Sequence, residues 1–260
     1  MQFDFHKYQG TGNDFIMVDD RTLNFPTSDA AFVHHCCDRS FGIGADGLIL
    51  IQPSESSDFK MIYFNADGRQ STLCGNGARC TVAFAARLGI IEKSTTFEAI
   101  DGLHSAMIRD DQSIALRMHD LSAIHQTDAY SFLDTGSPHH VELVHDLADF
   151  PVVEKGREIR QASPYGEAGS NVNFVEQIDA TTFALRTYER GVEDETLSCG
   201  TGATAVAIAM HHRGLTTATT LSLQVRGGVL TVRFVPSEAG YREIDLCGPA
   251  QFVFSGTYPC

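Results

Sequence analysis

Short apolar stretches, alternating or continuous, predict strands along most of the chain, and two longer Ala-rich stretches predict helices. Residues 59–64 and 183–188 are typical of strands that lead toward a turn. Residues 78–88 and 203–212 carry apolar side chains at helical spacing, and a glycine follows each stretch. Predicted hairpin strands around glycine turns come after both helices, which favours antiparallel pairing over βαβ units.

The two predicted helices belong to an internal repeat. The stretch that begins at Cys74, CGNGA, recurs 125 residues later as CGTGA from Cys199. The glycines that end the two helices, Gly89 and Gly214, each lie 15 residues after their cysteine. Several landmarks at nearly one offset indicate two homologous halves. We therefore predict an α/β (α+β) fold of two pseudo-symmetric domains, each a mostly antiparallel sheet wrapped around a central helix.

The predicted domain boundaries follow the repeat. Residues 1–120, with a C-terminal strand at residues 250–260, form the N-terminal half, which contains Cys74. Residues 121–249 form the C-terminal half, which contains Cys199. Pseudo-twofold symmetry between such halves would bring the two equivalent helix ends together, so we expect one site served by both cysteines.

Composition and charge exclude several classes of protein. The chain has 260 residues, 43% hydrophobic and 20% charged, which is ordinary for a globular protein. The net charge of −14 and the scattered lysines and arginines argue against nucleic-acid binding. The sequence has no apolar run of about 18 residues and no secretory signal pattern, so we expect neither a membrane span nor export.

The cysteine pattern favours free thiols. Seven cysteines, an odd number, and no C-x-x-C pair argue for reduced thiols in a cytoplasmic protein. The run His34-His35-Cys36-Cys37 has four adjacent residues that cannot all face one metal ion from a helix or strand. We interpret this run as a partly buried helix face and expect no metal site. Cys36, Cys37, Cys80, Cys247 and Cys260 are assigned to packing or surface positions.

Each repeated cysteine precedes the N-terminus of a predicted buried helix. The first N–H groups of a helix lack backbone partners and carry partial positive charge, so they favour anions. A thiol placed there ionises more easily than at its free pKa of about 8.5. A free cysteine is otherwise often an inert packing residue. Its recurrence at Cys74 and Cys199 favours a functional role.

Three reactions use a cysteine at a helix N-terminus. A phosphatase needs an arginine six residues after the cysteine, where this chain has Cys80, with Arg79 one residue early. A thiol hydrolase needs a histidine base and an oxyanion hole, and one cysteine is enough. A cofactor-free amino-acid racemase or epimerase needs two groups, a thiolate that removes the α-proton and a thiol that returns one. This last interpretation explains the duplication.

The chain resembles the diaminopimelate epimerase family along its whole length. The resemblance rests on eight blocks in order: Gly10-Thr11-Gly12-Asn13-Asp14-Phe15, Phe41-Gly42-Ile43-Gly44-Ala45-Asp46-Gly47, Asn65-Ala66-Asp67-Gly68, Cys74-Gly75-Asn76-Gly77-Ala78-Arg79-Cys80, Pro138-His139, Asn171-Val172-Asn173-Phe174, Glu189-Arg190-Gly191 and Cys199-Gly200-Thr201-Gly202-Ala203. It implies conversion of LL-diaminopimelate to the meso form, without pyridoxal phosphate, other cofactor or metal, in lysine and peptidoglycan precursor synthesis.

The resemblance also implies roles for individual residues. The implied catalytic residues are Cys74, Cys199, His139 and Glu189, with the two cysteines as the acid/base pair. The implied substrate-binding residues are Asn13, Asn65, Gly75, Asn76, Asn171, Glu189, Arg190, Gly200 and Thr201. The implied partner is a small amino-acid substrate, with neither nucleic acid nor membrane, and homodimers occur in the family.

Three departures from the family pattern concern substrate contacts. Ser137 stands where many members have Asn, Gly47 where some have Gln, and the acidic loop 192–196 is one residue longer than usual. Two alternatives remain open. One is a proline or hydroxyproline racemase of the same superfamily, which turnover of proline would reveal. The other is a non-catalytic amino-acid sensor, which would bind its ligand without exchange of the α-hydrogen.

Overall fold

The computed structural model describes residues 2–162 and 165–259. Within these ranges the helices are α1 (Ala30–Cys37), α2 (Gly75–Arg87), α3 (Val152–Gln161) and α4 (Gly200–His212), with a 3-10 turn at Leu147–Asp149. The strands, in chain order, are β1 (Gln2–Gly10), β2 (Asn13–Asp19), β3 (Gly47–Gln52), β4 (Phe59–Asn65), β5 (Ser94–Ala99), β6 (Gly102–Ile108), β7 (Ile114–Arg117), β8 (Ile124–Gln126), β9 (Tyr130–Asp134), β10 (Pro138–Leu143), β11 (Asn171–Gln177), β12 (Thr182–Glu189), β13 (Asp194–Thr196), β14 (Thr220–Val225), β15 (Gly228–Ser237), β16 (Gly240–Gly248) and β17 (Gln251–Pro259).

The chain divides into two compact units. The N-terminal unit spans Met1–Leu116 and Gly248–Cys260, and the C-terminal unit spans Arg117–Cys247. The sequence predicts that the halves end at residues 120 and 249. The observed boundaries fall a few residues earlier, at Leu116 and Cys247. The assignment of each half as an epimerase domain stays a prediction.

The two units use the same order of strand pairs. In the N-terminal unit β17 pairs with β1, and pairing continues through β2, β3, β4, β5, β6 and β7. In the C-terminal unit β8 pairs with β9, and pairing continues through β10, β11, β12, β14, β15 and β16. Most of these pairs are antiparallel, so the predicted two-domain α+β class is confirmed.

The prediction of antiparallel pairing in place of βαβ units was wrong in part. The β2/β3, β4/β5, β10/β11 and β12/β14 pairs are parallel, and a helix lies between the two strands of each pair along the chain. A parallel pair needs a long crossover connection, and a helix supplies it. The hairpins that dominate the sequence pattern hid these four crossovers.

Helices α2 and α4 are the central helices of their units. Each has ten of its thirteen residues buried, and each is surrounded by strands of its own unit. They begin at Gly75 and Gly200, three residues before the predicted starts. Gly89 and Gly214 follow them in the left-handed region, with φ of 71° and 74°. This conformation suits glycine and ends both helices as predicted.

Strands β3 and β11 are buried on both faces. In β3 the side chains of Leu48 and Leu50 pack in the cluster that contains α1 residues, and a Cβ at Gly77 of α2 would lie 2.9 Å from Ile49 Cδ1. In β11, Val172 and Phe174 pack in the cluster that contains α3 residues. A strand covered on both faces reads as a continuous apolar run. The stretch GLILIQ in β3 is such a run.

The His34–Cys37 run forms the last turn of α1. Cys36 and Cys37 are buried, and burial first, with the nearby Cys36, raises the pKa of Cys37 to about 12. The interpretation as a partly buried helix face is confirmed. The part of the chain that the structure describes contains no group of His, Cys, Asp and Glu placed to hold a metal ion. Cys260 lies outside the described residues.

Among the described residues, no helix combines the length and the apolar character that crossing a membrane requires.

Candidate active site

Cys74 and Cys199 are the N-cap residues of the two central helices. Both have extended backbone angles, with φ and ψ of −100° and 120° at Cys74 and −120° and 112° at Cys199. The first intrahelical bonds join the Ala78 N–H to the Cys74 carbonyl and the Ala203 N–H to the Cys199 carbonyl. The N–H groups of the three residues after each cysteine therefore precede the helical ladder and can bind an anion.

In the N-terminal unit the Cys74 thiol lies beside the side chain of Asn13. Its Sγ donates to Asn13 Oδ1, with 3.6 Å between the two atoms. Asn13 has a fixed orientation because its Nδ2 donates to the Asp46 carboxylate at 2.6 Å, and a carboxylate only accepts. The amide oxygen of Asn13 therefore faces Cys74 as an acceptor.

Asn76, in the first turn of α2, donates to the same amide oxygen. Asn76 Nδ2 lies 3.3 Å from Asn13 Oδ1, and Asn76 Oδ1 accepts from Arg79 Nη2 at 2.9 Å. Arg79 is fully buried and also donates to the Gly75 carbonyl oxygen. Because a guanidinium only donates, Arg79 fixes which end of the Asn76 amide faces Asn13.

A cluster of ion pairs supports Asn13 from the other side. Asp14 Oδ2 lies 2.9 Å from Lys7 Nζ, and Arg39 Nη2 lies 2.8 Å from Asp14 Oδ1 and 2.7 Å from Asp46 Oδ1. Burial alone would raise the pKa of Asp14, but hydrogen bonds and charges from Arg39 and Lys7 lower it to about 2. The cluster holds Asp46 in place, and Asp46 in turn holds Asn13.

In the C-terminal unit the Cys199 thiol lies beside a hydroxyl group instead. Cys199 Sγ is 3.5 Å from Thr201 Oγ1, and Thr201 Oγ1 is 3.2 Å from Ser137 Oγ. Thr135 Oγ1 donates to the Thr201 carbonyl oxygen at 2.8 Å and so ties the first turn of α4 to the end of β9. Ser137, which the sequence analysis noted only as a departure from the family, is the next link from the cysteine.

His139 is fully buried on β10, between Ser137 and Asn173. Its Nε2 lies 3.0 Å from Ser137 Oγ, and its Nδ1 lies 3.0 Å from Asn173 Nδ2. Asn173 Nδ2 also donates to the His140 carbonyl oxygen at 3.0 Å, which identifies it as the amide nitrogen, so His139 Nδ1 must accept. Burial, together with the charge of Arg190, lowers the pKa of His139 to about 3. The ring is neutral, with its proton on Nε2.

Asn171 reaches the same serine from β11. Its Nδ2 donates to Ser137 Oγ at 3.1 Å and to the Pro138 carbonyl oxygen at 3.2 Å, and its Oδ1 accepts from the Arg190 backbone N–H at 2.9 Å. The Arg190 guanidinium donates to the Ala168 carbonyl oxygen at 3.1 Å. The structure thus joins Cys199, Thr201, His139, Asn171 and the Arg190 backbone through Ser137. Glu189, partly exposed, ends β12 beside this group.

Glycine is required where the central helices approach the strands. A Cβ at Gly202 would lie 2.5 Å from Asn173 Oδ1 and 3.3 Å from Cys199 Sγ. At Gly77, the equivalent residue of α2, a Cβ would lie 2.9 Å from Ile49 Cδ1. An amide held by hydrogen bonds cannot move aside as easily as the end of an isoleucine side chain. The second glycine of CGTGA is therefore the more constrained one.

The remaining predicted residue, Asn65, is exposed at the end of β4 and pairs in register with Gly47 of β3. A Cβ at Gly47 would lie 2.7 Å from the Tyr63 ring and 2.6 Å from the Phe64 carbonyl oxygen. Tyr63 thus occupies the space that a longer side chain at residue 47 would need.

The acidic loop is anchored through its own carboxylates. Glu195 Oε2 lies 2.7 Å from Arg186 Nη2 and 3.2 Å from Arg226 Nη1. Glu193 lies 3.2 Å from Arg160 Nε and accepts from the Tyr188 hydroxyl at 3.1 Å. The loop is therefore held against β12 and α3.

Two of the hydrogen-bonded residues near Cys199 were not predicted to belong to the site. Ser137 was noted only as a departure, and Asn173 only as part of a block. Asn173 is two residues after Asn171 in a strand, so both side chains lie on one face. This alternation is the signal that could have found it.

The chain is similar to known proteins over most of its length. The sequence profile described as diaminopimelate epimerase matches residues 5–123 and 131–253. The chain is 55% identical over 252 residues to a diaminopimelate epimerase of Flavobacterium psychrophilum, with 97% of this chain and 98% of the relative covered. The chain belongs to the diaminopimelate epimerase family. Another family member, from Chlorobaculum tepidum, is 41% identical, with 95% and 98% covered.

Solved structures share the fold of this family member at low sequence identity. A Bacillus anthracis phenazine biosynthesis protein of the PhzF family aligns with a TM-score of 0.77 at 17% identity, over 100% of both chains. A hydroxyproline epimerase from Agrobacterium vitis aligns with a TM-score of 0.69 at 18% identity, over 99% of this chain and 92% of that one. The family assignment and the fold predicted from the sequence are confirmed.

Proposed function

We propose that this family member converts LL-diaminopimelate to meso-diaminopimelate by proton transfer at the α-carbon, with Cys74 and Cys199 as the acid/base pair. The observation that carries the proposal is that both cysteines occupy the N-cap of a buried central helix. Membership in the diaminopimelate epimerase family supports the choice of substrate. The product serves lysine and peptidoglycan precursor synthesis.

The reaction needs two protein groups and no cofactor. One cysteine, as thiolate, takes the α-proton and becomes a thiol, and the other, as thiol, gives a proton to the carbanion and becomes a thiolate. The carboxylate of the substrate gains negative charge as the proton leaves. N–H groups at the starts of α2 and α4, from Gly75-Asn76 and Gly200-Thr201, stabilise that charge by a few kcal/mol for each well-placed donor.

Polar side chains around each helix start would bind the rest of the substrate. Asn13 and Asn65 serve the N-terminal unit, and Asn171 serves the C-terminal unit. Glu189 is suited to the ammonium group, and the Arg190 guanidinium to a carboxylate. His139 carries its proton on Nε2 and is neutral, so it serves as a positioning residue.

Single cysteine variants test the proposal. Cys74→Ala and Cys199→Ala should each lower kcat for epimerisation by roughly 1000-fold, because each removes one proton-transfer group. Cys80→Ala and Cys247→Ala are matched controls, since both are buried cysteines outside the two helix caps. Burial raises the pKa of Cys80 to about 12, so it stays protonated. A Cys74 or Cys199 variant with near-normal kcat would contradict the assignment.

Isotope exchange and alternative substrates test the reaction itself. The wild-type protein should introduce solvent deuterium at the α-carbon of LL-diaminopimelate. Turnover of proline with none of diaminopimelate would favour a proline racemase, and binding without exchange would favour a sensor. Either result would overturn the proposed reaction.

A cytoplasmic homodimer is part of the proposal. The six cysteines within the described residues are not joined in disulfides, which suits a reducing compartment. Phe252, Val253 and Phe254 of β17 are consecutive, apolar and 38%, 52% and 46% exposed. Such a strand suits pairing with a second copy of the chain. Light scattering should give a dimer, and Val253→Asp should shift the mass toward the monomer. A wild-type monomer would rule the dimer out.

A further inference from the structure

We infer that the two cysteines rest in different protonation states, with Cys199 as the thiolate and Cys74 as the thiol, and that Ser137 and Thr201 set this difference. The inference rests on the proposed acid/base roles of the cysteines. It follows from the direction of the hydrogen bonds that Asn13 makes with the sulfur of Cys74 and Thr201 with the sulfur of Cys199.

The direction around Cys199 is fixed by backbone carbonyl groups. Asn173 Nδ2 donates to the His140 carbonyl and to His139 Nδ1, so the neutral His139 ring carries its proton on Nε2 and donates it to Ser137 Oγ. Asn171 Nδ2, fixed by the Pro138 carbonyl, donates to the same oxygen. Ser137 Oγ therefore accepts two hydrogen bonds.

With both lone pairs of Ser137 Oγ engaged, its own proton is directed to Thr201. Ser137 Oγ lies 3.2 Å from Thr201 Oγ1, and the Thr201 hydroxyl proton is in turn directed to Cys199 Sγ, 3.5 Å away. The sulfur of Cys199 is thus the acceptor at the end of a chain of donors. A donor aimed at sulfur favours the thiolate over the thiol.

The hydrogen bond at the Cys74 sulfur runs in the opposite direction, from the sulfur to its neighbour. Asn13 Oδ1 is an acceptor because Asn13 Nδ2 is bound to Asp46, and Cys74 Sγ donates to that oxygen at 3.6 Å. Asn76 cannot present its oxygen in place of Asn13, since Arg79 holds Asn76 Oδ1. An acceptor beside sulfur favours the thiol, so Cys74 keeps its proton.

Charged groups near each sulfur act in addition to these bonds. At the end of β12, Glu189 and Arg190 carry opposite charges, and the buried His139 of β10 is neutral. Glu195 of β13 is paired with arginines. Near α2, the Asp46 carboxylate and the Arg79 guanidinium each bind one of the two asparagines. The hydroxyl chain therefore distinguishes the two cysteines more directly than the charges do.

The enzyme without substrate is then ready for one stereoisomer. It binds the isomer whose α-hydrogen faces Cys199 in a productive state. The proton passes to Cys199, and Cys74 gives its proton to the carbanion. The protein is left with a Cys199 thiol and a Cys74 thiolate, and exchange of protons with solvent restores the resting state.

The test measures each thiol separately and needs no turnover. Protein without substrate is alkylated with iodoacetamide over a series of pH values, and mass spectrometry gives the labelling rate at each cysteine. Only the thiolate reacts, so the pH midpoint of labelling reports protonation, whereas access to the sulfur changes the maximal rate. We expect the Cys199 midpoint at lower pH than the Cys74 midpoint. The reverse order overturns the inference.

Variants assign the difference to the chain of hydroxyl groups. Thr201→Val should raise the Cys199 midpoint by about one pH unit, which is about a tenfold loss of thiolate, while the Cys74 midpoint stays unchanged. Ser137→Ala should raise it by a smaller amount. Thr201→Ser retains the hydroxyl and should keep the wild-type midpoint. An unchanged Cys199 midpoint in Thr201→Val overturns the inference.

Ser170→Ala is the matched control for Ser137→Ala. Ser170 is buried, and its hydroxyl group lies within hydrogen-bond distance of the Pro138 and Asn171 carbonyl oxygens. Its loss therefore perturbs the same strands but removes neither of the hydroxyl groups that lead to Cys199. Both midpoints should stay at their wild-type values in this variant. If labelling behaves as expected but diaminopimelate is not epimerised, the proposed function fails and the proton assignment stands. If diaminopimelate is epimerised but the two cysteines have equal labelling midpoints, the proton assignment is wrong and the proposed function stands.

Discussion

The two units place equivalent strands around equivalent cysteines, but the side chains beside each cysteine differ in chemical type. Phe15 pairs in register with Gly47, and the equivalent residues His139 and Asn171 pair in the same way. One unit uses an aromatic contact, with the Phe15 and Tyr63 rings 6.0 Å apart.

The other unit uses hydrogen bonds at the equivalent places. Asn173 replaces Ile49, and Thr187, the equivalent of Tyr63, donates its hydroxyl to Asn173 Oδ1 at 2.9 Å. The comparison teaches that a repeated scaffold places the two cysteines at equivalent helix starts and surrounds them with different side chains. Under the proposed proton assignment, these side chains decide which cysteine holds a proton.

The largest contrast is expected between Gly202→Ala and Gly77→Ala. The added methyl group in Gly202→Ala meets the fixed Asn173 amide and displaces the Cys199 sulfur, and a displacement of about 1 Å costs about 100-fold in kcat. In Gly77→Ala the close contact is with the flexible end of Ile49, so the loss in kcat should be less than about tenfold. Steady-state kinetics of both variants measures the contrast. Equal losses would mean that the two helix starts are equally constrained.

A second contrast concerns Arg79, whose equivalent in α4 is Thr204. Arg79→Met retains the packing of the side chain but removes the buried 2.9 Å hydrogen bond to Asn76 Oδ1, so the free energy of unfolding should fall by about 2 kcal/mol. Thr204 donates only to the Gly200 carbonyl of its own helix, at 3.0 Å. Thr204→Val should cost less than about 1 kcal/mol. Urea unfolding tests both variants. An Arg79→Met variant with the same free energy of unfolding as the wild type would argue against the fixed orientation of Asn76.

A third contrast is in pH dependence, because His139 titrates and Phe15 does not. The pKa of His139 falls from 6.5 in the unfolded chain to about 3 in the folded one. Between these values the unfolded state binds the proton and the folded state does not, so stability is lost as pH falls below 6.5. His139→Gln should reduce this slope by up to about 1.4 kcal/mol per pH unit.

Urea unfolding at several pH values gives these slopes. Phe15→Leu, the control in the other unit, should keep the wild-type slope. A His139→Gln slope equal to that of the wild type would show that this ring is protonated in the folded state.

The smallest contrast is between the loops before the two cysteines. Glu193→Gln weakens a partly exposed pair with Arg160 and should cost less than about 1 kcal/mol of the free energy of unfolding. Asp67→Asn, in the loop before Cys74, weakens a 3.9 Å pair between exposed groups and should cause no measurable change. A larger effect of Asp67→Asn than of Glu193→Gln would reverse the order of the two loops.

The sequence predicted the elements that repeat and missed those that pair at long range. The two central helices, the glycines that end them and the strand at residues 59–64 follow from local spacing, which is why they were found. Both helices begin three residues earlier than predicted. The parallel β2/β3 and β10/β11 pairs depend on contacts between distant segments, which a periodic pattern does not reveal. The two-cysteine arrangement came from the repeat itself.

The hydrogen bonds of the candidate site were beyond prediction from sequence for another reason. Ser137, Thr201 and His139 can each donate or accept. The backbone carbonyls of His140 and Pro138 decide which they do, through the side-chain amides of Asn173 and Asn171. Such a choice depends on distances of a few tenths of an ångström. It requires coordinates, although the alternation of Asn171 and Asn173 marked the strand face where it is made.

The pairing of β17 with β1 has a consequence for synthesis. Pro259 lies opposite Gln2, so β1 waits for its neighbour until residue 259 has left the ribosome. The C-terminal unit is continuous from Arg117 to Cys247, and all its strands are available before β17 is made. The half that is translated later is thus the first to have every part it needs, and the earlier half completes its sheet last.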